Sequence, residues 1–112
     1  MRRLIDTIPS SGPDIFYDPN FHATLEYHIP RLQKHEEAEY TGVEPAIGIK
    51  YRGDFFGFLN TLGIPSHYHW VVMRCNNFYT PMEFSETTHN VIIPPLNEID
   101  EIAQIYTTSN NI

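Results

Sequence analysis

Nine prolines and six glycines divide this chain of 112 residues into short stretches. Proline lacks a backbone N–H and glycine is the most flexible residue, so both tend to end helices and strands. The single cysteine, Cys75, cannot form an internal disulfide to tie such stretches together. An apolar core must therefore hold the short elements, and seven Tyr, seven Phe and one Trp supply large side chains for it.

The net charge of the chain lies in its C-terminal two thirds. Residues 1–35 hold four acids and four bases, whereas residues 36–112 hold ten acids and three bases and carry the whole net charge of −7. Nucleic-acid binding depends on Lys and Arg against phosphates, so we expect no nucleic-acid partner. The acidity predicts either a basic partner surface or only a soluble one, and both readings stay open.

We expect neither a membrane span nor a signal peptide. No stretch approaches the ~20 apolar residues that a membrane-spanning helix needs. Arg2 and Arg3 are not followed by an apolar run, as they would be in a secretory leader.

The first predicted helix begins after Asp18, a good N-cap, at Pro19, which suits the first helical position. Pro30 is expected to kink or split this helix near His28. Its apolar face repeats at spacings of four, four and three, through Phe21, Leu25, Ile29 and Leu32.

The rest of the chain predicts alternating short strands and helices. Alternation indicates a strand at 47–51, and Asp54 and Ser66 are predicted N-caps of the next two helices. Residues 78–84 form an aromatic loop with a turn at Pro81. The predicted elements are a strand at 47–51, helices at 55–62 and 67–76, a strand at 90–93, and a final acidic helix at about 97–106.

This order resembles a LysM domain, a small α+β fold with a β-α-α-β core. The resemblance rests on the segment from Ile47 to Asp54, on Trp70, on Asn76-Asn77 with Pro81, and on the strand from Val91 that closes at Pro94. It divides the chain into an extended arm (1–17), an N-terminal helix and connector (18–44), a LysM-like core (45–95), and a C-terminal acidic helix and tail (96–112).

With its flanking helices, the chain is similar to the LysM-like baseplate wedge proteins of contractile-tailed bacteriophages. The resemblance implies a structural virion protein, made in the host cytoplasm, that packs in several copies against other baseplate and tail proteins. LysM domains that bind N-acetylglucosamine carry Thr or Ser where this chain has Phe55-Phe56, which favours protein contact. A peptidoglycan-binding LysM module is the alternative.

Candidate partner contacts are apolar side chains of the arm, the helices and the aromatic loop. An apolar triplet at 15–17 has no element of its own, so it either packs on the body or inserts into a neighbour. The expected contacts are Ile15, Phe16, Tyr17, Phe21, Leu25, Phe56, Phe78, Tyr79, Ile99 and Ile102. The expected core includes Tyr51, Leu59, Trp70 and Ile92.

Three patterns are compatible with chemistry, but each is more typical of structure. His67 and His69 are two residues apart and would face different sides of a helix, which disfavours a shared metal. Arg74 could activate Cys75 as a nucleophile, yet no catalytic motif surrounds it, and a buried structural thiol is expected. Glu98 and Glu101 lack the cleft of a glycosidase. We therefore predict no catalytic residue, metal site or cofactor, with a small Cys75–histidine hydrolase as a weaker alternative.

Overall fold

Short helices around a two-stranded sheet make up the part of the chain that the computed structural model describes, residues 14–110, with side chains described to residue 108. Single turns of 3-10 helix lie at Asp14–Tyr17, Ser66–Tyr68 and Pro81–Glu83. The other elements are α1 (Pro19–Gln33), β1 (Glu39–Gly42), α2 (Pro45–Lys50), α3 (Phe55–Thr61), α4 (His69–Cys75), β2 (Asn90–Ile93) and α5 (Leu96–Asn110).

The two strands are antiparallel neighbours, although three helices separate them in sequence. β1 pairs with β2 from Glu39 opposite Ile93 to Gly42 opposite Asn90. Helices together with an antiparallel sheet confirm the expected α+β class.

Helix α1 begins as predicted but is not split. The Asp18 carboxylate accepts a hydrogen bond from the Asn20 N–H at 2.9 Å, and Pro19 occupies the first turn. Pro30 lies in the last turn, where only one intrahelical hydrogen bond is lost, and the helix continues to Gln33. Ile29 and Leu32 are buried on either side of Pro30, and their packing stabilises this turn.

The predicted strand at 47–51 is wrong, because Pro45–Lys50 is the helix α2. The Glu44 carbonyl accepts hydrogen bonds from the N–H groups of Ile47 and Gly48, which starts a helical turn. Ile47 is half-buried and Ile49 is 54% exposed, so their alternation does not mark a strand with one buried face. The strand that pairs with β2 is β1, in the segment predicted as a connector.

The N-cap of α3 and the ends of α3 and α4 follow the sequence closely, but the prediction of Ser66 as the N-cap of α4 is wrong, because Ser66 lies inside a 3-10 turn. The Asp54 carboxylate accepts a hydrogen bond from the Gly57 N–H at 3.0 Å, and Gly63 adopts a positive φ of 79° after α3. Asn77, with φ 64°, follows the end of α4 in the left-handed conformation expected for Asn. Residues 66–68 form a 3-10 turn, so α4 begins at His69 instead of residue 67.

The core lies where α1 packs on α4 and α5, and where α4 packs on α3 and β2. Its fully buried large side chains come from every part of the described chain and include Phe21, Leu25, Phe55, Leu59, Phe84, Val91 and Ile99. α5 extends to Asn110, beyond the predicted end at residue 106. No helix among residues 14–110 is long and apolar enough to cross a membrane.

Residues 14–17, predicted as part of an extended arm, form a 3-10 turn that packs on the body. Phe16 is only 4% exposed, because its ring lies against Phe21 and Tyr68 at centroid distances of 5.4 and 5.6 Å. Phe16 of the apolar triplet therefore packs on the chain's own body, Ile15 is half-buried and Tyr17 stays exposed. The rest of the predicted arm, 1–13, lies outside the described residues.

Candidate protein-contact surface

A groove of about 460 Å³ with a mostly aromatic lining opens on one side of the molecule. The 3-10 turn at 14–17, the start of α1, α3 and the start of α4 meet there. We call it the aromatic groove, and its lining residues are Phe16, Tyr17, His22, Phe56, Asn60, Ser66, His67, His69 and Trp70. Aromatic side chains are enriched in the centres of protein interfaces, so this groove is the first candidate contact surface.

One wall of the aromatic groove is fixed by the contact between the 3-10 turn and α1. A ring nitrogen of His22, Nε2, lies 2.8 Å from the backbone oxygen of Phe16, so His22 can donate a hydrogen bond to this carbonyl. The His22 ring also stacks flat on Trp70, with a centroid distance of 3.9 Å and an angle of 4° between planes. Tyr17 stays 51% exposed, so the groove keeps an aromatic rim open to solvent.

The opposite wall comes from α3 and the start of α4. The half-buried Phe56 ring lies 5.4 Å from the ring of His69. His69 is 4% exposed, and its Nε2 lies 2.8 Å from the Ile64 oxygen, a hydrogen bond that holds the imidazole in place. The aromatic groove is therefore held by contacts among α1, α3, α4 and the 3-10 turns at 14–17 and 66–68.

Burial keeps two histidines of this groove, His67 and His69, neutral at neutral pH. Burial lowers the pKa of His69, and the hydrogen bond to Ile64 opposes this only in part. Burial also lowers the pKa of His67, with the Asp100 carboxylate raising it and His69 lowering it further. No Asp, Glu, Lys or Arg is among the lining residues, so the groove suits an apolar or aromatic surface.

A second exposed patch lies on the aromatic loop at 78–84. Tyr79 is 77% exposed and Met82 is 76% exposed, while Phe78 anchors the loop with its ring 5.2 Å from the ring of Phe55. We call Tyr79 and Met82 the Tyr79 patch. Tyr and Met are over-represented in protein interfaces, so the patch is the second candidate contact surface.

The Tyr79 patch is held in one conformation by polar contacts. The Glu83 carboxylate accepts hydrogen bonds from the N–H groups of Tyr79 and Thr80 at 2.6 and 2.9 Å. The Arg74 guanidinium lies 4.4 Å from the Tyr79 ring centroid and forms an ion pair with Glu26 of α1. A partner would therefore meet a pre-ordered loop, which lowers the entropy cost of binding.

Half of the residues expected to contact a partner are buried in the chain's own core. The expectation that Phe21, Leu25 and Ile99 present a contact surface is therefore wrong, whereas the buried Phe16 and Ile102 also line grooves. The apolar stripes on α1 and α5 face the helices of the same chain. The buried side chains are Phe16, Phe21, Leu25, Ile99 and Ile102. Tyr17, Phe56 and Tyr79 reach the two candidate surfaces, and Ile15 and Phe78 are half-buried.

The residues expected in the core differ in burial. Leu59 is fully buried, whereas Tyr51 and Trp70 are partly buried and pack against the core. Ile92 is half-buried and lies outside the core cluster, because neighbouring residues of a strand face opposite sides and Val91 takes the inward position. The expectation that Ile92 belongs to the core is therefore corrected.

No sequence pattern indicates that His22, His67 and His69 meet in one groove. The three come from α1, a 3-10 turn and α4, so no local spacing could reveal it. Met82 was missed because a lone methionine in a loop carries no pattern. Among residues 14–110, no group of three or more His, Cys, Asp or Glu residues could hold a metal ion.

Cys75 is a poor nucleophile in this fold. Its side chain is fully buried, and burial raises the pKa of the thiol to about 12, although the Arg74 charge acts in the opposite direction. A thiol with this pKa stays protonated at neutral pH, and the protonated form is unreactive.

Comparisons with protein-family models, with curated proteins and with solved structures find no match to this chain.

Proposed function

We propose that this chain is a structural protein that works by packing against other proteins, as a wedge component of the tail baseplate of a contractile-tailed bacteriophage. The observation that carries the proposal is the aromatic groove, a pre-ordered hollow with Tyr17, Phe56 and Trp70 in its lining and with no Asp, Glu, Lys or Arg. Binding of another protein over such a surface lowers the free energy, because apolar area is removed from water.

The arrangement of the groove supports binding to a protein. Its aromatic rings are fixed by stacking and hydrogen bonds, so little side-chain entropy is lost when a partner docks. The Tyr79 patch adds a second ordered apolar contact. Two such surfaces on one small chain suit a subunit that lies between neighbours in an assembly.

The LysM-like part of the proposal draws support from the order of the elements. Two antiparallel strands, β1 and β2, enclose the helices α2, α3 and α4 in sequence, so the chain keeps a strand-helices-strand order. The first strand lies earlier than the resemblance implies, at Glu39–Gly42, and an extra helix replaces the expected strand. Buried Phe55 and half-buried Phe56 offer no hydroxyl groups to a sugar near Gly53-Asp54.

The location is tested on assembled particles. An antibody against the purified chain is applied to purified tails from the host that carries this gene, by immunoblot and by immunogold electron microscopy. We expect the chain in the particles, with gold at the baseplate end of the tail. Its absence from intact tails would contradict the baseplate proposal.

Groove variants test whether packing is the mechanism. Phe56→Ser in the aromatic groove is expected to reduce incorporation into tails at least about fivefold, because an apolar contact is lost. Tyr40→Ser is the matched control, since Tyr40 is 67% exposed on β1 and does not line the groove. Equal incorporation of the two variants would contradict the assigned role of the groove.

The peptidoglycan alternative is decided by titrating the purified chain with chitin oligomers. Saturable binding that is lost on substitution of Asp54 would favour the sugar-binding module over the structural protein. We expect no saturable binding at millimolar sugar.

A further inference from the structure

A second groove, separate from the aromatic groove, runs between α1 and α5. The two helices lie antiparallel: Arg31 near the end of α1 bonds Glu98 near the start of α5, and the ring of Phe21 near the start of α1 lies 5.1 Å from that of Tyr106. A hollow of about 390 Å³ lies between them. We call it the α1–α5 groove.

Each helix lines this groove with one stripe. Residues 24, 28 and 31 of α1 are four and three apart, so they share a helix face. Residues 98, 101 and 105 of α5 do the same, and the stripe continues through Thr108, which lines an adjoining hollow of about 260 Å³. The α5 stripe spans about 15 Å at 1.5 Å per residue, which is the length of a few helical turns.

The α1–α5 groove has an apolar part on α5, formed by Ile102, Ile105 and Tyr106, and Ile105 leaves it open to solvent. Ile105 is 66% exposed and lines both hollows. A large aliphatic side chain in this position is covered only in part by its own chain. An open groove between two helices with apolar residues in its lining can bind the apolar face of a third, amphipathic helix.

The groove carries a net negative charge. Arg31 and Glu98 form an ion pair at 2.9 Å and cancel each other, and His35 lies 3.8 Å from the same carboxylate. Burial, with the Arg31 charge, lowers the pKa of His28, so its ring is neutral at pH 7. Glu101 is exposed, and the structure shows it with no hydrogen bond or ion pair to any described residue.

We infer that the α1–α5 groove binds an amphipathic helix of another protein, with an aliphatic side chain against Ile105 and a Lys or Arg that pairs with Glu101. Shape selects a helix, and the unpaired Glu101 charge beside apolar Ile105 selects a basic one. A second copy of this chain is a worse occupant, because a symmetric contact would bring two acidic surfaces together. The inference concerns a different surface from the aromatic groove. Its test is therefore independent of the test of the baseplate proposal.

The test uses the full chain, labelled with ¹⁵N, and a synthetic probe. The probe is an amphipathic helix of about 18 residues with a stripe of Leu and with Lys at its other positions. A control probe has Glu in place of every Lys. We expect the Lys probe to shift the amide resonances of Thr24, His28 and Ile105 with saturation, and the Glu probe to bind at least about tenfold more weakly.

Two variants separate the apolar and the charged contact. Ile105→Asp is expected to raise the Kd of the Lys probe about tenfold, and Glu101→Lys about fivefold, because each removes one contact. Both residues are exposed, and circular dichroism is used to check that each variant is folded. The matched controls are Ile49→Asp and Glu44→Lys on and beside α2, which lie outside the groove and should leave the Kd within about twofold.

Several results would overturn this inference. They are no saturable binding of the Lys probe at millimolar concentration, equal binding of the Glu probe, a Kd unchanged by Ile105→Asp, and shifts confined to the aromatic groove. Self-association that Ile105→Asp abolishes would assign the groove to a second copy. Nuclear Overhauser contacts from residues 1–13 to Ile105 would assign it to the chain itself.

Discussion

The side chain of Asn76 joins the end of α4 to the sheet. Its amide oxygen accepts a hydrogen bond from the Ile92 N–H at 2.7 Å, and its amide nitrogen donates to the Ile92 oxygen at 2.9 Å and to the Val72 oxygen at 2.8 Å. Asn76 therefore provides partners for both backbone groups of Ile92, the residue at the centre of β2.

Asn76→Ala should lower the free energy of unfolding by about 2 kcal/mol, because two half-buried backbone groups lose their partners. Urea denaturation followed by circular dichroism measures this change. Asn60→Ala, at an exposed position on α3, is the control. Its free energy of unfolding should stay within about 0.5 kcal/mol of that of the unsubstituted chain. A similar loss for both variants would show that Asn76 does not hold β2.

His69 and His67 make the stability of the fold depend on pH. Their folded pKa values are lowered, mainly by burial, whereas an unfolded histidine has a pKa of about 6.5. The unfolded chain therefore binds more protons below this pH. The histidines contribute stability above about pH 6.5, and this stability is lost as the pH falls through the unfolded value towards the folded one.

We expect the free energy of unfolding to fall between pH 7.5 and pH 5, as measured by urea denaturation at each pH. His69→Gln keeps a donor for the Ile64 carbonyl but does not titrate, so its loss over the same range should be smaller. If the free energy of unfolding fell equally in the His69→Gln variant and in the unsubstituted chain, the titrating group would not be His69.

At this residue scale, sequence patterns identified large apolar side chains but not the surface that each one faces. Phe21 and Ile99 lie on the apolar helix faces that the sequence predicts. An apolar face that packs on its own chain, however, has the same residue spacing as one that packs on a partner. Tyr17 and Tyr79 lie on a 3-10 turn and a loop at the surface and are 51% and 77% exposed. The grooves themselves form from distant segments, which no local spacing encodes.

Among the elements, those with a strong local signal were predictable. The Asp18-Pro19 start defined α1, and the apolar run before two prolines defined β2. α2 was predicted as a strand because Ile47-Gly48-Ile49 is too short to distinguish the two periods. β1 has mostly exposed residues and no apolar alternation, so only its pairing with β2 makes it a strand.

Gly48 allows α2 to pack closely on the loop that follows the aromatic loop. A Cβ at this position would lie 2.6 Å from the Cα of Glu86 and 2.9 Å from the Ser85 oxygen, both backbone atoms. Gly48→Ala should therefore destabilise the fold by about 1–3 kcal/mol, as overpacking does. Thermal unfolding measures the effect.

Gly42→Ala is the matched control for Gly48→Ala. A Cβ at Gly42 has the Asn90 side chain as its only close neighbour, at 4.0 Å. We expect a change below about 0.5 kcal/mol. If Gly48→Ala were equally mild, the close packing of α2 on this loop would not contribute to stability.

At the scale of the whole molecule, the pairing of β1 with β2 brings together the two ends of the long segment between them. β1 ends at Gly42 and β2 begins at Asn90, and α2, α3 and α4 all lie between them. Asn76 and the buried Val91 attach β2 to the helices, whereas β1 has mostly exposed side chains. The helical part therefore holds one strand directly and the other mainly through the sheet.

This topology has a consequence for the order of folding. Contacts between distant segments form slowly, because the entropy of closing the intervening loop is lost first. The helices can collapse around Phe21 and Leu25 before β1 meets β2. Thr41→Gly in β1 should therefore speed unfolding while the folding rate stays within about twofold, which stopped-flow kinetics measures. The pairing of β1 with β2 would then form late in folding, and its separation would be the first step of unfolding.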